Sequence, residues 1–345
     1  MTPYNKPSLQ TIQASNKPIE VFTTLGDNEN IDANVVNDFG EEWKKFAVHT
    51  DESVKELRKE YFDIIDETIV NKNTYMIDIG CGSGRWTDYF VDKAAFIEAI
   101  DPSDAVFVAD KMLGQKDNVR ITKASVDTIP WDDETFDFGM SIGVLHHIPD
   151  TKKALISCVK KIKKGGYFYV YLYYRFDNRG IIFKAIFYLS DGLRKVISRM
   201  PQGLKRFTCD TLAVLIYWPL SRFAGLLHKM KLHSLAKKIP LEPYYNKPFY
   251  NLRNDCLDRF GTKLEQRFLK PEIEAMMKEA GLTEIRFGEK SAFWMLVFVI
   301  GFIEVMAFFA SSYIGHGRWQ VNALQSVLYV VGIGLSGYSI FKRQT

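Results

Sequence analysis

"IDIGCGSGRW", Ile77 to Trp86, is the stretch on which the fold turns. Apolar residues surround Asp78, and glycines then fall at 80, 82 and 84. A glycine-rich turn directly after an apolar strand suits a nucleotide-like ligand, because missing side chains let backbone N–H groups come close to it. A dinucleotide fingerprint needs its third glycine three residues after the second. Arg85 stands at that position here, so the pattern is D-x-G-x-G-x-G and a dinucleotide oxidoreductase is disfavoured.

Outward from this turn, apolar runs of strand length alternate with helical spacing. Strands are predicted at 75–80, 96–101, 119–123, 136–142 and 166–174, and helices at 84–93, 103–114 and 151–162. Such alternation implies a parallel sheet wound with helices on both faces. Upstream, 40–72 carries apolar residues at helical spacing with Thr50 or Asp51 as an N-cap. Residues 1–39 read as a flexible leader without the apolar core of a secretory signal. With 345 residues, 47% of them hydrophobic and 25% charged, the chain can bury a substantial core. The four cysteines, at 81, 158, 209 and 256, stand singly, which argues against a disulfide framework or a structural zinc and predicts no metal site.

The D-x-G-x-G-x-G turn resembles motif I of the class I S-adenosylmethionine-dependent methyltransferases. Three further segments strengthen the resemblance: "AIDPSDA" ending at Ala105, "ASVDTIPWDDETFDFGMSIGVLHHIPD" from Ala124 to Asp150, and "IKKGGYFYVYLYY" from Ile162 to Tyr174. The last two look like the small-molecule, type 11-like branch, with Lys164 where a proline usually precedes the glycine pair. The resemblance implies a doubly wound, seven-stranded, mostly parallel sheet and S-adenosylmethionine as cofactor. It implies that Gly80, Cys81, Gly82 and Gly84 approach the methionine moiety, that Asp78 supports the turn, and that Asp101 with Pro102 holds the ribose. Ser125 and Val126 fall where adenine is read, in a place where many relatives carry an aspartate. Ile142 and Gly143 would lie beside the cofactor, and His146 and His147 just beyond are the candidates for a general base, needed only if the acceptor must lose a proton.

From Arg175 to Lys238 thirteen Lys and Arg residues face three Asp, a local charge of +10 inside a chain of formal charge +4. The same segment is strongly apolar, which fits either a helical cap on the sheet or a lid on an anionic membrane surface. Nucleic acid is disfavoured because the aromatics sit inside apolar runs. A helix begins near Pro271 and stops at Gly281, and 283–288 with 293–298 would form the antiparallel pair that closes the sheet. Residues 293–314 and 321–341 are two apolar runs of about bilayer length. Residues 293–299 can close the sheet or open the first run, but not both.

The expected organisation is therefore a leader (1–39), a cofactor-binding core (40–174), a basic apolar helical insertion (175–260), the end of the core (261–298) and a C-terminal two-helix membrane hairpin (299–345). Lys342 and Arg343 favour a catalytic domain on the cytoplasmic side. The expected activity is methyl transfer to a small-molecule, sugar or lipid-linked acceptor. The alternatives are a non-catalytic binding or regulatory protein of the same fold, and an RNA methyltransferase. The oligomeric state is not written in the sequence.

Overall fold

The computed structural model describes residues 2–26, 29–45, 58, 61–173, 175, 181–236, 239, 241–287 and 338–343. The chain divides into two units, one made of 1–175, 264–290 and 336–345, the other of 176–263 and 291–335.

The first unit begins with β1 (Gln10–Gln13), β2 (Pro18–Val21) and α1 (Ala33–Lys45). The alternation then follows as β3 (Tyr75–Ile79), α2 (Thr87–Phe90), β4 (Phe96–Asp101), α3 (Ala105–Leu113), β5 (Val119–Lys123), β6 (Phe136–Ile142), α4 (Thr151–Lys160) and β7 (Ile162–Tyr171). The strands form one nine-stranded sheet in the order β1-β2-β5-β4-β3-β6-β7-β9-β8, where β8 and β9 are the closing strands described below. Strands β2, β5, β4, β3, β6 and β7 run parallel. Side chains alternate between the faces with the period of two that a strand imposes. Ile77 and Ile79 pack with Phe136, Phe168 and α4, whereas Met76 packs on the other side with Ile97, Met140 and Tyr169.

The leader is not loose. Buried Asp110 of α3 accepts the backbone N–H groups of Asn16 at 2.8 Å and Lys17 at 3.0 Å, which fastens the β1–β2 turn. Ile19 and Val21 then bury against the sheet, each contributing roughly 1.5–3 kcal/mol. The helix expected at 84–93 is only Thr87–Phe90, because the left-handed turn around Gly84 occupies its first residues. The strand expected at 166–174 starts earlier and ends at Tyr171, with Gly165 at φ 78° inside it. The N-cap expected at Thr50 or Asp51 lies outside the described residues.

The second unit contains α5 (Ile181–Ile197), α6 (Gln202–Leu212), a π-helical turn (Ala213–Tyr217), α7 (Trp218–Lys229), α8 (His233–Ala236) and α9 (Phe249–Gly261). Its core is Cys209, Ala213, Tyr217 and Leu220 packed on Leu252, Cys256 and Phe260.

The first unit resumes with α10 (Lys270–Glu279), capped by Glu272, whose carboxylate accepts the Leu269 N–H at 2.7 Å, and stopped before Gly281 at φ 87°. Next come β8 (Leu282–Phe287) and β9 (Tyr338–Arg343). Strand β9 is antiparallel to both neighbours, with Tyr171 opposite Tyr338 and Leu282 opposite Arg343. This corrects two expectations. The closing partner of β8 is 338–343 rather than 293–298, and the second apolar run gives up 338–341 to the sheet, so the tail from 299 is not a hairpin appended after a finished core. The remainder of both runs, within 288–337, lies outside the described residues. Among the described residues no helix is long and apolar enough to cross a membrane.

Candidate active site

Strand order reverses between β4 and β6, which flank β3, so the crevice at the C-terminal end of β3 is the place where an open α/β sheet binds ligands. The loop leaving β3 lies there. Gly80, Gly82 and Gly84 have φ of 81°, 55° and 84°, a region that side-chain-bearing residues avoid. A Cβ on Gly80 would stand 2.4 Å from Val144 Cγ2, and one on Gly82 would stand 3.2 Å from Trp43 Nε1 of α1. The Gly80 and Cys81 N–H groups bond to Ile100 O at 2.8 and 2.9 Å, tying the loop to β4.

Two carboxylates close this loop from adjacent strands. Asp101 accepts the Gly82 N–H at 3.0 Å and the Ser103 N–H and hydroxyl at 2.8 and 2.6 Å. Asp78 accepts the Thr87 hydroxyl at 2.6 Å. Both are buried, and burial raises both above the usual carboxylate range. Asp78 is pushed up to about 7, by burial first, with the Asp101 charge adding to it. A ligand carrying an ammonium and a sulfonium supplies the positive charge this pair lacks, so the donor set fits S-adenosylmethionine.

Cys81 is buried within the loop and its thiol is pushed up by burial, while Pro102 is half-buried at the end of β4. All four cysteines are free and buried. Among the described residues no group of three or more His, Cys, Asp or Glu is arranged to hold a metal. Ser125 and Val126 are buried after β5. The Ser125 hydroxyl donates to Glu29 at 2.6 Å, so a carboxylate from the N-terminal segment stands beside the position where the family commonly has an aspartate. Burial pushes Glu29 up, but bonds from Ser125, Thr23 and Thr24 outweigh it and hold the carboxyl below its ordinary value.

Ile142 ends β6, and Gly143 follows at φ 76°; a Cβ there would meet nothing within 4 Å. A 3-10 turn, Leu145–His147, comes next. His146 is fully buried, stacks on Tyr173 with ring centroids 3.8 Å apart, and has no hydrogen-bond partner at either ring nitrogen. Burial first, then the His147 and Arg267 charges, hold it well below the ordinary histidine value, so it is neutral. His147 Nδ1 lies 2.7 Å from Leu264 O and donates its N–H to that carbonyl, which fixes the ring. Arg85 spans the rings of Trp43 and Trp86 at 4.8 and 4.7 Å, and Trp86 stacks on Tyr61, so both line the rim of the loop.

The structure thus brings Asp78, Gly80, Gly82, Gly84 and Asp101 together and sets Ile142, Gly143, His146 and His147 at the end of the neighbouring strand. Sequence reasoning missed Glu29, Phe39 and Trp43. Phe39 packs on His147 with centroids 5.0 Å apart. The serine in place of an aspartate at 125 was the available signal for Glu29; nothing in the leader marked the two aromatics.

The family described as "Methyltransferase domain" matches residues 77–170. A relative named ubiquinone biosynthesis O-methyltransferase, from Coxiella burnetii, is 26% identical over 141 residues, covering 40% of this chain and 58% of its own length. The chain therefore spans little more than half of that relative. The Caenorhabditis elegans protein named sterol 4-C-methyltransferase strm-1 is 29% identical over 119 residues, 33% of this chain and 36% of its own. Among solved structures, a SAM-dependent methyltransferase from Thermotoga maritima superposes with a TM-score of 0.44 at 13% identity, covering 90% of this chain and 99% of that one. The glycine loop and its carboxylate pair thus fall inside the segment, 77–170, that matches the methyltransferase domain family, and their chemistry fits S-adenosylmethionine.

Proposed function

We propose that this chain transfers the methyl group of S-adenosylmethionine to an apolar small-molecule or lipid-linked acceptor at a membrane surface, with its sheet on the cytoplasmic side. The observation that carries the reading is the buried pair Asp78 and Asp101 beside a loop of left-handed glycines, an arrangement that is costly without a cationic ligand.

The bound cofactor supplies an activated methyl group on a sulfonium, so the protein's task is alignment and exclusion of water. Gly80, Cys81, Gly82 and Gly84 would hold the methionine moiety, with Asp78 supporting the turn and supplying charge toward its ammonium. Asp101 and Pro102 would hold the ribose, and Ser125 and Val126 the adenine. Ile142 and Gly143 would flank the reacting centre. Neutral His146 accepts an acceptor hydroxyl's proton at a ring nitrogen, and His147, fixed by Leu264 O, orients the acceptor through Nε2.

An apolar acceptor is favoured because the relatives bear names from ubiquinone biosynthesis and sterol methylation. The membrane is supported by the apolar runs at 293–314 and 321–337, each near the length of a span. They leave the sheet at β8 and return at adjacent β9, so any crossing must be made an even number of times and the sheet stays on one side.

The test is calorimetric titration of full-length protein in detergent with S-adenosylhomocysteine, with Asp101→Ala as control. Micromolar binding, lost in the variant, is expected. Absence of binding by well-folded wild-type protein overturns the reading.

A further inference from the structure

Helix α6, the π-turn and α7 make one nearly continuous helical stretch over 202–229. An amphipathic helix in a globular unit buries one apolar stripe and shows polar residues on the other side. This stretch buries its stripe in the usual way, with Cys209, Ala213, Tyr217, Leu220, Ala224 and Leu227 all inside the second unit. Its outer side is apolar as well. Leu204, Phe207, Leu215, Trp218, Leu226 and, just beyond, Met230 are each between 47% and 70% exposed. Of the sixteen large hydrophobic residues exposed among the described ones, thirteen fall between Tyr188 and Leu235. Single exposed apolar residues need no explanation, but so many on one helical face, with exposed Arg222 among them, mark an interaction surface.

The charges around the row identify the occupant. Residues 181–236 hold nine Lys and Arg against two Asp. Asp191 is taken by Arg194 and Lys195, and Asp210 is paired with Arg253, so neither acid opposes the field of the remaining cations. Arg199, Lys229 and Lys231 are exposed at the helix ends that bound the row. The cores of protein interfaces are depleted of charge and gather aromatic residues into pockets. A row of Leu, Phe, Trp and Met bounded by long cationic side chains, which can lay their stems along apolar surface and keep their heads at a phosphate layer, matches a bilayer interface instead.

We infer that the outer face of 202–230 is a docking surface for an anionic phospholipid bilayer, lying in the headgroup region with Trp218 near its middle. The inference rests on the membrane reading of the function and deepens it. It assigns an electrostatically tuned contact to residues that lie outside 288–337 in the sequence.

Because every native cysteine is buried, Leu215→Cys introduces a single exposed thiol for an environment-sensitive fluorophore. Met112→Cys, at an exposed position of α3 in the first unit, is the control. Full-length labelled protein is mixed with vesicles of phosphatidylcholine, or of phosphatidylcholine with one-third phosphatidylglycerol, and flotation is followed in parallel. Emission at 215 is expected to shift to the blue and rise several-fold with anionic vesicles, much less with neutral ones, and less in Arg199→Glu/Lys229→Glu; emission at 112 stays that of an aqueous label. Flotation with an aqueous signal at 215 overturns the docking face while leaving the membrane reading intact. Failure to float with either lipid overturns both. A blue shift without vesicles that grows with protein concentration assigns the face to a second copy of the chain and overturns the lipid assignment.

Discussion

Replacing Asp78 with asparagine asks whether the site stores an electrostatic cost that the cofactor relieves. Asparagine keeps the shape and an oxygen for the Thr87 hydroxyl, 2.6 Å away in the native site, but cannot ionise. Burial moves the Asp78 carboxyl from 3.8 to about 7. With the folded value raised, its contribution to stability is complete below pH 3.8 and is lost as pH rises through about 7. A gap of about 3 units at roughly 1.36 kcal/mol each bounds the loss at about 4 kcal/mol. Without ligand, Asp78→Asn is therefore expected to exceed the wild type by up to about 2 kcal/mol at pH 5.5 and up to about 4 kcal/mol at pH 8. For a unit of this size each kcal/mol moves the melting temperature by about 2–4 °C. Thermal unfolding followed by circular dichroism at both pH values, with and without S-adenosylhomocysteine, reads the effect. At a hundredfold excess over Kd the ligand adds about 2.7 kcal/mol to the wild type. The variant, having lost the carboxylate beneath the ammonium, should bind at least about tenfold more weakly, equivalent to about 1.4 kcal/mol. A ligand-free variant less stable than wild type at pH 8, or a gain that is the same at both pH values, refutes the reasoning.

Further outcomes follow from the same geometry. Gly80→Ala forces a side chain into a left-handed residue and against Val144; a loss of about 2 kcal/mol or more in urea unfolding is expected. Glu29→Gln keeps two acceptor–donor contacts at most among Thr23, Thr24 and Ser125, and should cost about 1–2 kcal/mol in the same assay at pH 7. His146→Leu removes two unpartnered buried nitrogens, so stability should rise by about 1–2 kcal/mol while transfer of labelled methyl to an accepted substrate falls at least tenfold; unchanged turnover removes His146 from the proposed base role. Ile340→Pro places a ring and a missing N–H inside β9, which is flanked by β7 and β8, and should cost about 3 kcal/mol or more, seen as early proteolysis of the first unit.

Much of the parallel sheet was legible because its strands are buried on both sides and bounded by turn residues. The predicted 96–101, 119–123 and 136–142 coincide with the observed strands. The β1–β2 hairpin escaped notice because each strand has only four residues and its anchor, Asp110, is nearly a hundred positions away. The closing strand was misplaced for a related reason. "FWMLVF" at 293–298 and "YSIFKR" at 338–343 are both apolar enough for a sheet, and only the long-range pairing with β7 chooses the second. In the site, the glycines and Asp101 announced themselves through spacing, whereas Glu29, Phe39 and Trp43 arrive by tertiary packing from a segment with no local signature.

The position of β9 also sets an order of events. It must enter between β7 and β8, joining Tyr338 to Tyr171, which lies 167 positions earlier in the chain. Closing so long a loop costs entropy before the ladder returns any hydrogen bonds, so this pairing belongs late in folding. By then β3 to β7, the glycine loop and both carboxylates have all been synthesised, and so has every residue of the 288–337 excursion. During synthesis the apolar runs leave the ribosome while the slot for β9 is still open. On the proposed membrane reading, partitioning of those runs into lipid would precede completion of the sheet; in either case a chain that delays the last pairing exposes an unpaired β7 edge to its neighbours.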